Sequence, residues 1–224
     1  MSALKSLTDE HQMIVELLGA LQTFATRLRG GASVDPADLA RFAEVLRELV
    51  DYRHHEKEEG ILFPLLARNG FGWSQGLLSE LRNDHGHLRH LIDVLYQAAA
   101  KDAVMDESGT GLVGSQPPSS REGQRHVAEA ALAFIELERR HLQKEETALF
   151  PAIRERLGAV ALEQLEAELA QFDQVVARHA GSSTVFHAAA ELVQRYSEHS
   201  ATVDVTGVSW TVAPSADPSL RRVS

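Results

Sequence analysis

HHEKEEGILFP at residues 54–64 returns, edited, as HLQKEETALFP at residues 141–151. Aligned on the shared Leu-Phe-Pro, His54 matches His141, Glu58 matches Glu145, Glu59 matches Glu146, Phe63 matches Phe150 and Pro64 matches Pro151. A four-residue step advances an α-helix by little more than one turn, so the histidine and the glutamate of each copy project from one face and can reach one ion together. Each copy is therefore half of a candidate metal site.

The repetition continues upstream. TDEHQMIVELLGAL and RNDHGHLRHLIDVL align so that His11 falls on His85, Leu17 on Leu91, Leu18 on Ile92 and Leu21 on Leu95, which makes the chain a helix pair written twice. His11 precedes His54 by 43 positions and His85 precedes His141 by 56. The 13 extra positions fit in the Gly-, Ser- and Pro-rich stretch at 106–123, expected to be an exposed linker that serves as a plain spacer.

With 44% hydrophobic residues, only 6% aromatic ones and no alternating pattern before about residue 201, the body is expected to be all-α. Helix A is placed at 3–29, with Ile14, Leu17, Leu18, Leu21, Phe24 and Leu28 on one stripe. Helix B starts near Asp35-Pro36, carries Phe42, Val45, Leu46, Leu49 and Val50, and is expected to bend or stop at Pro64. Helix C covers 74–101, and helix D covers 124–156 with an interruption at Pro151. Together they predict an up-and-down four-helix bundle over 1–157, with one or two added C-terminal helices in 158–200 and an extended or disordered tail at 201–224.

The net charge of −10 argues against nucleic acid and anionic membrane surfaces as partners. No apolar run is long enough to span a bilayer, and MSALKSLTDEH lacks the apolar core of a signal peptide, so a soluble, cytoplasmic chain is expected. The absence of cysteine removes disulfides, thiolate metal sites and thiol nucleophiles together.

His11 continues the stripe of helix A toward Ile14, Val15 and Leu18, and His85 does the same on helix C with Leu88, Ile92 and Leu95. His54 and Glu58 follow Leu46 and Val50 in steps of four, while His141 and Glu145 follow Phe134 and Leu137. All six thus face inward. Buried without partners they would cost several kcal/mol apiece, and a pair of cations compensates them most economically. Imidazole plus carboxylate suits iron, manganese or zinc.

The order His, HxxxE, His, HxxxE with the EExxLFP extension resembles the hemerythrin-like family of HHE cation-binding proteins, over about residues 5–157. That resemblance implies a bundle holding two iron ions, bridged by oxide or hydroxide, that meets dioxygen, hydrogen peroxide or nitric oxide. By position, His11, His54, His85 and His141 would be terminal ligands and Glu58 and Glu145 would bridge the irons; manganese or zinc are possible substitutes. The expected function is peroxide decomposition or redox sensing. A diiron oxidase or oxygenase acting on a small organic substrate and a non-catalytic iron-responsive or storage module are the alternatives.

One position departs from the oxygen carriers of that family, which have a second histidine one turn after the third-helix ligand. Here the residue is Arg89, which either sets positive charge beside a bound oxidant or reaches solvent. His87 and His90 point roughly 160° and 140° away from His85 on a helical wheel. Six protein ligands rather than seven leave positions open for an exogenous reactant. His55, aligned with Leu142, is read as a core neighbour rather than a ligand, Glu59 and Glu146 as solvated or supporting residues, and Tyr52 and Tyr96 as packing. The third HxxxE, His187 and Glu191, is read as chance.

Overall fold

A computed structural model describes residues 3–35, 37–72, 76–101, 120–177 and 182–197; the expected tail at 201–224 and most of the 106–123 linker lie outside them. Every regular element among the described residues is helical. Helix α1 spans Ala3–Gly30, and α2 spans Asp38–Val45. From α2 the chain runs on through a π-helical stretch at Leu46–His55 and a π-helical turn at Glu58–Leu62 into α3, Phe63–Arg68. Helix α4 spans Leu77–Lys101. Helix α5, Arg121–Lys144, passes through a π-helical turn at Glu145–Leu149 into α6, Phe150–Arg156, and α7 (Ala159–Ala177) and α8 (Ser182–Ser197) follow.

Neither proline stops its helix. Proline offers no N–H, and its ring crowds the carbonyl four residues back. The widened turns absorb that mismatch: the Phe63 N–H bonds to the carbonyl of Glu58, and the Phe150 N–H to that of Glu145, so both rods continue in helical conformation past Pro64 and Pro151. The linker also ends sooner than expected. Ser120 already caps α5, its hydroxyl accepting from the Gly123 N–H at 3.0 Å.

Helix α1 packs on α5, α5 on α4, α4 on α2, and α1 again on the π-helical stretch that extends α2, so four rods surround a common interior. That interior is divided. One apolar cluster, with Ile14, Leu18, Leu21, Phe24, Phe42, Leu95 and Phe134, fills one side of the His/Glu layer. A second, with Leu4, Leu7, Phe63, Leu66, Leu81, Phe150 and Ile153, fills the other. Among the described residues ten polar side chains are buried, His11, Asp38, His54, His55, Lys57, Glu58, His85, Glu138, His141 and Glu145, and all but Asp38 belong to or adjoin this layer between the clusters.

The two C-terminal helices are part of this packing. Leu165 and Leu169 of α7 join the second cluster, and Ala189, Leu192 and Tyr196 of α8 join the first. Tyr196 meets Phe24 and Phe42 ring to ring, and its hydroxyl donates to the buried Asp38 carboxylate at 2.7 Å. No described helix is long and apolar enough to cross a membrane.

Candidate metal centre

His11 comes from α1, His54 and Glu58 from the rod that begins with α2, His85 from α4, and His141 and Glu145 from the rod that begins with α5. The structure brings all six together, each at most 1% exposed. They form two overlapping groups of four: His11, His54, Glu58 and Glu145, and His85, His141, Glu58 and Glu145. Within each group one ligand atom per residue lies within 4.8 Å of the others. Both carboxylates are shared, so each group has two imidazoles of its own and two common acids.

The contacts across the interior are close and converging. His11 Nε2 stands 3.2 Å from Glu145 Oε2, His54 Nε2 3.6 Å from Glu58 Oε1, and His85 Nε2 3.3 Å from Glu58 Oε2. His141 Nε2 lies 3.4 Å from Glu145 Oε1 and 3.1 Å from His85 Nε2. His11 Nε2, His54 Nε2 and all four oxygens of Glu58 and Glu145 nevertheless have no hydrogen-bond partner. Buried polar atoms are almost always satisfied, so this ring of unpartnered lone pairs fits a cationic occupant.

Outside the ring, each imidazole turns its other nitrogen toward a carboxylate of a different helix. Nδ1 of His11 meets Glu146 at 2.9 Å, that of His54 meets Glu10 at 3.0 Å, and that of His85 meets Glu59 at 2.7 Å. His141 Nδ1 faces Asp84 at 3.7 Å. A carboxylate on Nδ1 fixes the tautomer that leaves Nε2 free inward, as metal-binding histidines require. Basic side chains brace three of these acids. Lys57 bonds to Glu10 and, at 3.0 Å, to Asp173 of α7; Lys144 bonds to Asp84 at 2.6 Å; Arg89 bonds to Glu59 and, at 2.7 Å, to Asp51.

The electrostatics follow from this crowding. Burial alone would depress His11, but Glu145 and Glu146 lift it to about 10. Burial raises Glu58, yet His54, His141 and His85 hold it well below the usual carboxylate range. Glu145 is pushed up by burial and by the charge of Glu58. Two acids sharing one enclosed space resist carrying two negative charges until positive charge arrives between them.

Glu59 and Glu146 thus support His85 and His11 rather than facing the interior. Arg89 does not reach the interior: Glu59 and Asp51 hold it at the surface, its side chain 39% exposed, where it lines an open cavity of about 530 Å³ with Arg47, Tyr52 and Asp93. Tyr52 and Tyr96 are exposed, so neither is a packing residue, and Arg47 covers the Tyr96 ring at 3.9 Å. Val15 leaves the apolar stripe, 46% exposed. His87 and His90 face outward, and His187 with Glu191 is an exposed pair at 3.2 Å.

Sequence reasoning missed Glu138, whose buried carboxylate faces His55 Nε2 at 3.6 Å, while Leu137 beside it packs, partly buried, against the first apolar cluster. His55 stacks on His85 with ring centroids 4.0 Å apart and planes 17° off parallel, and with His85 and His141 it makes a third, all-imidazole group whose ligand atoms lie within 4.8 Å of one another. Burial and the neighbouring His85 hold it near pKa 3 against the pull of Glu138. The supporting pairs had a legible signal: Glu10 and Asp84 each precede the matched histidines, and Lys57 and Lys144 occupy the same place in both copies.

An uncharacterized protein of Mycobacterium bovis and two of Mycobacterium tuberculosis are each 24% identical to this chain over 159 residues, or 71% of it. The chain spans 56% of the length of these relatives. No solved structure matches it. The hemerythrin HHE cation-binding domain model matches residues 2–113, half of the sequence, taking in His11, His54, Glu58 and His85. With the second HxxxE pair completing the same buried ring, the chain belongs to the hemerythrin HHE cation-binding family.

Proposed function

We propose that this protein is an up-and-down four-helix bundle of the hemerythrin type that carries two iron ions and reacts with hydrogen peroxide, dioxygen or nitric oxide, as a peroxide-decomposing or redox-sensing protein. One observation carries the reading: two four-residue groups share Glu58 and Glu145. Sharing is what a dinuclear centre needs, because two acids common to both groups could serve two ions at once. In this reading His11 and His54 would hold one ion and His85 and His141 the other, with Glu58 and Glu145 available to both.

Bound there, an iron pair would supply reversible one-electron oxidation and positive charge for an incoming oxidant. The protein contributes burial, with all six residues at most 1% exposed, which supports small oxidants over larger organic substrates. Outer carboxylates on Nδ1 make the imidazoles stronger donors and keep them from rotating. Two imidazoles and two shared acids per ion leave coordination positions for an outside reactant, which favours reaction over simple retention.

The test is metal analysis of anaerobically purified protein, followed by optical spectra on adding peroxide, dioxygen and nitric oxide. Two irons per chain, the charge-transfer bands of a bridged iron pair and faster peroxide loss than with metal-free protein are expected. One ion or none per chain, or peroxide loss at the metal-free rate, would refute it.

A further inference from the structure

The internal repeat gives each supporting group a counterpart, and the counterparts differ at one corner. Glu10 and Asp84 correspond, and each is braced by a lysine of the repeated motif. Glu59 and Glu146 also correspond. Arg89, four residues after His85, fastens Glu59 onto that histidine and is itself held by Asp51. The residue four positions after His11 is Val15. Among the described residues Glu146 meets His11 and no basic side chain.

Exposure follows the same division. Asp84 is 13% exposed, Glu10 14% and Glu59 28%, whereas Glu146 is 48% exposed. Three corners of the centre therefore lie behind an acid that is both covered and braced. At the fourth, one exposed and unbraced side chain separates the buried His11 from water. His141 stands farther from its acid than the other histidines do, but that acid is the most covered of the four.

We propose that metal ions enter and leave the centre at the His11 corner, between α1 and the rod formed by α5 and α6, with Glu146 as the door. The inference rests on the reading of the six buried residues as metal ligands. A bond between an exposed carboxylate and Nδ1 breaks at little cost, because water solvates the freed oxygen. Released, His11 is held by its stacking on Phe150, 5.4 Å between centroids, and by its edge contact with His54 at 4.9 Å, and its ring can turn about the side-chain bonds that Glu146 no longer fixes. At the opposite corner the same motion would first have to part Arg89 from two acids. Glu146 is a positioning residue here, and Val15 is what leaves it unlatched.

The repeat itself supplies the test. Full-length protein loaded with two Co²⁺ ions is mixed with excess chelator, and release is followed by loss of the cobalt d–d absorption. Two phases are expected, the faster from the His11 side. Val15→Arg, which copies Arg89 onto the unlatched corner, slows the fast phase by about tenfold, and Glu146→Ala quickens it by about tenfold, the scale on which outer partners change metal binding. Arg89→Ala leaves the fast phase where it is. Both substitutions are at exposed positions, and arginine is at least as good a helix former as valine, so folding is preserved. The proposal is overturned if release from Val15→Arg and Glu146→Ala matches the unaltered protein. Protein that takes up no Co²⁺ at all would overturn the underlying ligand assignment instead.

Discussion

Metal should be worth a large part of this protein's stability. Six inward-facing ligand atoms have no hydrogen-bond partner: Nε2 of His11, Nε2 of His54 and both oxygens of Glu58 and of Glu145. A buried polar atom left unsatisfied costs about 1–3 kcal/mol, so without metal the ring would carry a substantial burden that ions relieve. The observable gain is set by mass action, at about 2.7 kcal/mol for each site when free metal is a hundred times its Kd, or about 5 kcal/mol for two. In a chain of this size each kcal/mol moves Tm by about 2–4 °C, which gives a rise of about 10–20 °C. The assay is thermal unfolding by circular dichroism or calorimetry, on metal-free protein and after stepwise addition of Fe²⁺ without oxygen or of Co²⁺. The rise should saturate at two ions per chain. A Tm that moves by less than about 2 °C at saturating metal, or moves equally when Glu58 and Glu145 are both alanine, would refute the reasoning.

Shared and unshared ligands should behave differently on deletion. Glu58→Ala removes a ligand from both groups and should abolish stable binding of both ions, whereas His11→Ala should retain one, as counted by elemental analysis after gel filtration. Binding should also release protons, since His11 is lifted to about 10 and must be neutral to donate. Apparent metal affinity should therefore rise with pH and level off above that value; pH-stat titration should detect the protons, and pH-independent binding would contradict it. For metal-free protein the sign reverses: a raised histidine contributes stability that is complete below its unfolded value and lost as pH climbs through about 10, which denaturant midpoints across that range should register. Tyr196→Phe removes a hydrogen bond to a buried carboxylate that ties α8 to α2, and should cost about 1.5–3 kcal/mol in urea unfolding.

Much of the centre was legible because its spacing is local. His54 with Glu58 and His141 with Glu145 share a helix face whatever the rest of the chain does, since four residues make little more than one turn. Their phase against Val50, Phe134, Leu18 and Leu88 turned all six toward the interior, and the doubled motif supplied four rods and their order. Local rules also misled. Proline chemistry argued for broken rods at Pro64 and Pro151, but a widened turn beginning at each shared glutamate carries the helix through. The step of four from Leu137 hid Glu138, one residue on, which takes the buried position beside His55.

What joins different helices had to wait for the tertiary structure. That Glu59 serves His85 and Glu146 serves His11, that Glu58 and Glu145 stand in both ligand groups, and that α7 sends Asp173 to Lys57 all depend on how far the rods are shifted and rotated against one another. Helical periodicity specifies the direction of a side chain about its own axis. Distances between axes come from how side chains of separate rods interlock, and no spacing within one helix encodes them.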